Sequence, residues 1–391
     1  MISNIDIYKK IRKINSELSM FTCLNIENFL SLKSISLELN KVNILIGPNA
    51  SGKSNIVRVF QLISNHSRRG LPILEGYKSL IDLSFAFNPV INIKVGLDTI
   101  IGNQNYKYVL EMKSDKYIEQ IIAGNKPVII NDGKEIAIRL KDNIVHPSIA
   151  YFPSGYYGID APASILTLKT LPSDIEPEVH NLISKLREIT VHSFAPSRLR
   201  LRNDISEEPL LKYYGDNLAR YLLYLYLERR RDFQRIEETF KNLIPEVEEI
   251  VPHIEGNTVE IWIKIKGLNE PLKPFNISDG TLRILAIIST LYGGFSLVVL
   301  EEPENCIHPH ILEALMSLIR EAPSQVIITT HSPYLLDYAK PEEVYIVEKK
   351  ELKTNIKKLS TTKEVEAIKQ FLMEGGTLGE AWHSGLIGGI P

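Results

Sequence analysis

Residues 42–60, VNILIGPNASGKSNIVRVF, limit the possible folds more than any other stretch of the chain. A short, mostly apolar run ends at Gly47, as a buried strand should. Gly47-Pro48-Asn49-Ala50-Ser51-Gly52-Lys53-Ser54 then satisfies G-x-x-x-x-G-K-[ST], and the pattern predicts a helix from Lys53 to about Ser64. Strand, loop and helix in that order make a phosphate cradle. The glycines let the backbone curl until its N–H groups face an anion, and the helix adds the positive end of its dipole. Lys53 is then expected to reach the β- and γ-phosphates of a nucleotide, and Ser54 to ligate Mg²⁺. A chance glycine-rich turn would carry the pattern without the flanking strand and helix.

Three further stretches put polar groups at the ends of predicted elements. In SLVVLEEPE, residues 296–304, four apolar residues precede Glu301 and Glu302. Ligands of open α/β sheets sit beyond the carboxyl ends of the strands. Glu301 is therefore expected to hold Mg²⁺, directly or through water, and Glu302 to orient and activate an attacking water; the bland alternative is a solvated acidic turn. VIITTHSP, residues 326–333, ends a buried strand at His331. That histidine either senses or polarises a γ-phosphate or is a hydrogen-bonded structural residue. Asn276-Ile277-Ser278-Asp279-Gly280-Thr281 precedes the helix TLRILAIISTLYG. Ser278 or Asp279 can cap that helix, and Gly280 allows close backbone approach. Beside capping, a serine at a helix N-terminus suits the γ-phosphate of ATP and would form a second phosphate-binding surface.

Around these motifs, strands and helices alternate. Residues 22–46 read as strands, 175–190 and 208–243 as helices, and 257–267 as a strand with Val259, Ile261, Ile263 and Ile265 on one face. Helix 279–292, strand 296–300, helix 310–321 and strands 325–330 and 344–348 follow. Residues 70–170 alternate short β-rich runs with turns, and residues 1–19 read as a short amphipathic helix. The pattern predicts an α/β fold with a mostly parallel sheet flanked by helices and an antiparallel β-rich part. The expected domains are a helical extension over 1–20, a core over 21–205 and 255–391, and an inserted helical lid over 206–254.

A formal net charge of −2 gives the 391 residues no global basic field for nucleic acid or membrane. Two cysteines, Cys23 and Cys306, build no disulfide framework, and a reducing compartment fits them. The N-terminus lacks the apolar core of a signal peptide, and no stretch approaches the roughly 20 apolar residues that span a bilayer. A cytoplasmic protein without membrane association is expected.

In sequence motif and context, GPNASGKS, SDGT, VVLEEPE and TTH resemble the Walker A, signature, Walker B with D-loop, and H-loop of ABC-type P-loop ATPases. The similarity points to the soluble RecF/SMC-like and OLD-like branch of DNA-repair and phage-defence ATPases, often grouped under the AAA name. It is carried by NIENFLSLKSISLELNKVNILIGPNASGKSN, HSFAPSRLR, YYGDNLARYL and GTLGEAWHSGLIGGIP, and covers residues 21–60 and 190–391. The resemblance implies ATP hydrolysis with ATP and Mg²⁺ as cofactors, and Pro48, Asn49, Ala50, Ser51, Gly52, Lys53, Ser54 and Asn55 around the nucleotide. It implies a head-to-tail, ATP-dependent homodimer in which Ser278-Asp279-Gly280 of one subunit closes on ATP at the P-loop of the other. Glu304, Asn305 and His308 fall in the D-loop and are expected to cross that interface. Arg198 lies near the usual Q-loop region and is a candidate for γ-phosphate or lid coupling. Two features depart from the transporter pattern: a signature of SDGT without the terminal glutamine, and Glu301 where aspartate is usual.

DNA and a separately encoded nuclease or effector are the further partners implied. One rival reading is the ATP-binding subunit of a membrane transporter; the signature, the C-terminal motif and the N-terminal strand pattern argue against it. Another is a nucleotide switch with negligible hydrolysis, and Glu302 argues against that. Cys306, His308 and His310 crowd one turn, where Pro309 reads better as the first residue of a helix than as part of a metal site. Arg68-Arg69, Arg198 to Arg202 and Arg229-Arg230-Arg231 are candidate contacts to DNA phosphates or solvated helix faces.

Overall fold

The computed structural model describes residues 20–70, 72, 74–140, 143–147, 151–152, 161–162, 164–168, 171–172, 174–363 and 365–387. The helix expected over residues 1–19 lies outside them. The chain forms two compact units. The first comprises the described parts of Met1–Lys41, Asn49–Ile189 and Val347–Lys357; the second comprises those of Val42–Pro48, Thr190–Ile346 and Lys358–Pro391.

The strands of the first part of the chain are β1 (Phe21–Phe29), β2 (Leu32–Glu38), β3 (Val42–Ile46), β4 (Asn92–Ile101), β5 (Gln104–Lys113), β6 (Tyr117–Ala123), β7 (Lys126–Asn131), β8 (Ile136–Arg139) and β9 (Ile144–Val145). All but β3 join one antiparallel sheet of the first unit, ordered β2-β1-β4-β5-β6-β7-β8-β9. This is the β-rich part expected over 70–170. Its neighbours in sequence pair because short turns favour hairpins, as at Gly102 and Gly124, both in the left-handed region. Strict alternation of buried and half-buried residues along β6 marks a sheet with one covered face. Two helices of this unit, α1 (Lys53–Arg69) and α2 (Pro177–Arg187), pack together. Helix α1 outruns the expected Ser64 by a turn and stops at Gly70, whose positive φ ends it. Helix α2 ends before Glu188 instead of reaching residue 190, because Ile189 already enters the next strand, β12 (Ile189–His192). A two-stranded pair, β10 (Tyr151–Phe152) and β11 (Ala161–Pro162), lies between.

The second unit is built on β3, β12, β16 (Leu297–Glu301), β17 (Gln325–Thr330) and β18 (Val344–Lys350). The strand order is β12-β16-β17-β3-β18-β19, where β18 from Val347 onward and β19 (Lys353–Lys358) up to Lys357 count to the first unit. The pairs β16–β17, β17–β3 and β3–β18 are parallel. Every residue of β3 and β17 is buried. Each Val, Leu or Ile so buried contributes about 1.5–3 kcal/mol. Asn43, buried among them, donates to the Val326 carbonyl at 3.2 Å, so its polar atoms do not oppose burial.

Helices α3 (Leu218–Glu228), α4 (Arg230–Leu243), α5 (Asp279–Tyr292) and α6 (Pro309–Glu321) share one core with these strands. A three-stranded antiparallel sheet of β13 (Asn203–Asp204), β15 (Thr258–Ile265) and β14 (Val247–Glu255) completes that layer. The segment 206–254 thus shares the core of the second unit, and its last residues are strand. The helical stretch expected over 208–243 is two helices, and the first begins only at Leu218. Residues 208–217 form a loop around the buried Asn217, which accepts from Lys212 N at 2.8 Å and donates to the Leu210 carbonyl at 2.8 Å. Pro209 and the left-handed Gly215 also oppose a helix there. Helices α7 (Val365–Met373) and α8 (Leu378–His383) follow. Among the described residues no helix is long and apolar enough to cross a membrane.

Candidate functional site

The parallel register of the second unit brings three motifs to one edge. Glu301 pairs with Thr329, and Thr330 with Ile46, so the carboxyl ends of β16, β17 and β3 are level. Glu301-Glu302, His331 and Gly47 therefore leave the sheet side by side, the edge where α/β sheets bind ligands.

Glu302 sits at φ 45°, a left-handed conformation that costs a non-glycine residue about 1–3 kcal/mol. The surrounding bonds hold it there. Its N–H donates to the Thr329 carbonyl at 2.9 Å, and its own carbonyl accepts from Arg283 at 3.1 Å and from Asn305 N at 3.2 Å. Asn305 Nδ2 donates to Glu302 Oε2 at 2.7 Å, and His331 Nε2 lies 3.5 Å from Oε1. The side chain is still 41% exposed. It is an oriented carboxylate open to solvent, the arrangement that a general base for water requires.

Glu301 ends β16 half-buried, and Oε2 accepts a hydrogen bond from the Tyr213 hydroxyl. Burial, with Glu301 next, holds the Tyr213 phenol well above its usual range, so it stays protonated and donates. Glu304 turns inward and is 8% exposed, with Thr330 Oγ1 donating to it. Burial raises its carboxyl above the ordinary value. The Glu304 side chain, expected in the D-loop, is thus enclosed by its own chain. His308 caps α6, with Pro309 in the first turn.

Ser278 caps α5 by accepting from Thr281 N at 3.1 Å, as expected, and its hydroxyl also meets the Thr281 hydroxyl at 2.8 Å. Asp279 is the first residue of that helix. A Cβ on Gly280 would stand 2.6 Å from the Cys306 carbonyl oxygen, so only glycine fits where the signature meets the loop after β16. Arg200 fastens the approach to the signature, bonding the carbonyls of Pro274 and Ile277 and pairing with Asp279 at 2.7 Å. Arg198 instead reaches Asp216 at 3.3 Å. Arg202 pairs with Glu255 and Glu260, and Arg229 with Asp232 and the Gly293 carbonyl. Those members of the basic clusters have intramolecular partners.

Residues of the phosphate-loop motif after Pro48 belong to the first unit, where Ala50 and Gly52 both have positive φ. Thr354 Oγ1 donates to the Ser51 carbonyl at 3.0 Å and contacts Ser31 Oγ at 2.7 Å. Ser31 in turn accepts from Asn55 at 2.7 Å. A Cβ on Gly52 would fall 2.0 Å from Thr354 Oγ1, which fixes glycine there by space as well as by φ. No side chain caps α1, and the buried Ser51 hydroxyl has no hydrogen-bond partner among the described residues. Lys53 is 5% exposed; Ser54 is exposed. An uncapped helix start behind a left-handed glycine loop fits a bound phosphate, and the carboxylate and hydroxyl oxygens of Glu301 and Ser54 are the donor types Mg²⁺ takes.

Arg200, Tyr213, Arg283 and Thr354 were not singled out for these positions from the sequence. Arg283 has a local signal as a lone arginine within TLRILAII, Arg200 stands in the basic run Arg198 to Arg202, and Tyr213 opens YYGDNLARYL.

Fold and motifs together define a P-loop ATPase of the ABC type with a RecF/SMC-like architecture. A family described as "AAA domain, putative AbiEii toxin, Type IV TA system" matches residues 42–337, more than half of the chain, and the chain belongs to that family. The chain is also similar to the DNA replication and repair protein RecF of Clostridioides difficile (strain 630), 25% identical over 230 residues. That match covers 56% of this chain and 54% of RecF, so the chain spans about half the length of that relative. Among solved structures, it is similar in fold to an Smc head bound to the C-winged helix domain of ScpA, with 14% identity and a TM-score of 0.54, covering 86% of this chain and 97% of that one. It is likewise similar to a Pyrococcus furiosus-derived Smc head with an extended coiled coil bound to the C-terminal domain of ScpA. There the identity is 13% and the TM-score 0.54, over 91% of this chain and 99% of that one.

Proposed function

We propose that this chain binds ATP with Mg²⁺ and hydrolyses it, and that ATP joins two copies head to tail. The observation that carries the reading is Glu302: a solvent-open carboxylate held by Asn305 and His331, on the same sheet edge as the start of the phosphate loop. In this reading the backbone of Pro48–Gly52, with Lys53 and Asn55, holds the nucleotide, and Ser54 and Glu301 hold the metal. Mg²⁺ supplies charge neutralisation on the β- and γ-oxygens. Glu302 takes the proton of the attacking water, Asn305 keeps its carboxylate aimed, and His331 faces the γ-phosphate.

A signature cannot fold back onto its own phosphate loop in the ABC arrangement, so Ser278, Asp279 and Gly280 serve a second copy. Charge-assisted bonds from the start of α5 to the γ-phosphate exist only while ATP is intact. Segment 206–254 acts as a lid on this engine. The name of the RecF relative supports an output in DNA maintenance, and the family description, with its toxin–antitoxin system, supports one in defence. DNA and a separate effector protein are partners in either case, in the cytoplasm.

Light scattering of Glu302→Gln and Ser278→Arg, each with ATP, with ADP and without nucleotide, tests this. Glu302→Gln should dimerise only with ATP and stay dimeric, while Ser278→Arg should bind ATP and remain monomeric. A dimer indifferent to nucleotide would sink the ATP-made interface.

A further inference from the structure

Glu301 carries one methylene more than the aspartate usual at its position, and hence one more torsion to fix before its carboxylate can meet a metal in a single direction. Something must supply that constraint, and the described contacts identify it. Tyr213 donates its hydroxyl to Glu301 Oε2. A carboxylate offers two oxygens, so this bond leaves Oε1 for a metal or a metal-bound water.

The tyrosine is itself held from several sides. Its carbonyl accepts from Ser193 N at 2.9 Å, and the next carbonyl, of Tyr214, accepts from Ala195 N at 3.3 Å. The preceding residue, Lys212, is bonded by Asn217 at 2.8 Å and by the His192 ring at 3.2 Å, both residues being buried. The Tyr213 ring meets Tyr214 edge-on, with centroids 4.7 Å apart. The loop over residues 208–217, where a helix was expected, is thus an ordered support that ends in one hydroxyl aimed at one carboxylate.

We infer that Tyr213 is a positioning residue for the metal: its hydroxyl locks the Glu301 carboxylate so that the free oxygen faces the Mg²⁺ bound with ATP. The inference rests on the proposed ATP·Mg²⁺ reading. A ligating carboxylate that loses such a hydrogen-bonded support characteristically loses about 10- to 100-fold in metal affinity.

The test is calorimetric titration of the full chain with the non-hydrolysable analogue AMP-PNP, once with saturating Mg²⁺ and once with EDTA. The ratio of the two affinities measures the coupling between metal and nucleotide without any turnover. Tyr213→Phe keeps the ring and removes the hydroxyl. It should leave the affinity in EDTA unchanged and reduce the tightening by Mg²⁺ about 10-fold or more. Equal tightening in wild type and variant overturns the inference, and so does a loss of affinity that is the same in both media. No tightening by Mg²⁺ in the wild type overturns it as well. A wild-type chain that binds no AMP-PNP in either medium would instead bring down the ATP reading itself. Thermal melting checks that the variant is folded. Should it not be, His192→Phe removes the ring's bond to the Lys212 carbonyl while keeping the stack on Phe194 and the phenol. That variant should weaken the Mg²⁺ tightening in the same direction, and an unchanged tightening there overturns the inference.

Discussion

Glu119 and Glu302 are both carboxylates beside a histidine, in opposite surroundings. Glu119, on β6 of the first unit, is fully buried and accepts from Tyr108, Ser164, Asn131 and the Ile165 N–H, with His66 Nε2 at 2.8 Å. Glu302 is 41% exposed, with Asn305 and His331 against it. The first carboxylate has its lone pairs committed to the protein and excludes water. The second is aimed but open. Two similar constellations therefore divide by access: a sealed cluster fixes a fold, and an oriented, open one is available for chemistry.

The largest expected effect breaks the sealed cluster. Glu119→Ala leaves buried donors on Tyr108, Ser164 and Ile165 without an acceptor, and should cost about 3–5 kcal/mol in denaturant unfolding. A loss under about 1 kcal/mol would mean that the cluster is not what holds that part of the sheet. Glu302→Ala, by contrast, should stay within about 0.5 kcal/mol of wild type in the same measurement, because the group is solvated and its backbone bonds survive.

Acid sharpens the comparison by a smaller amount. Burial alone would raise the Glu119 carboxyl, but His66 and the hydrogen bonds from Ser164 and Ile165 overcome it and hold the carboxyl below its ordinary 4.5. A depressed carboxylate binds fewer protons folded than unfolded, so its stabilisation is present above 4.5 and drains as the pH falls below that value and through the folded one. The stability gap between wild type and Glu119→Ala should therefore narrow on acidification below 4.5. A gap that widened would reverse the assigned direction. Glu304 has the opposite sign: burial raises it, so its contribution is present below 4.5 and is lost as the pH rises through its folded value.

The same contrast explains what could be read from the sequence. The phosphate loop, Glu301-Glu302 and His331 were legible because each is a local pattern, a buried strand followed at once by a polar group. Even Glu119 left a trace: in YIEQIIA the alternation puts it on the face of Tyr117, Ile121 and Ala123, which is buried. Its partners His66 and Ser164 left none, since only the folded sheet brings them together. Tyr213 is illegible for the same reason: it falls in a stretch expected to be helical, whereas helix begins only at Leu218. Thr354, which closes behind Gly52, comes from a hairpin about 300 residues downstream, and no window of sequence connects the two.

The most direct test is single-turnover hydrolysis of ATP labelled at the γ-phosphate, by wild type and by Glu302→Gln. The amide keeps the shape of the side chain and cannot take a proton from water. Wild type should release labelled phosphate, and the variant should bind the same ATP while releasing phosphate about 10²- to 10⁴-fold more slowly. Equal release by the two proteins, or none from wild type, would contradict the assignment of Glu302 as the general base.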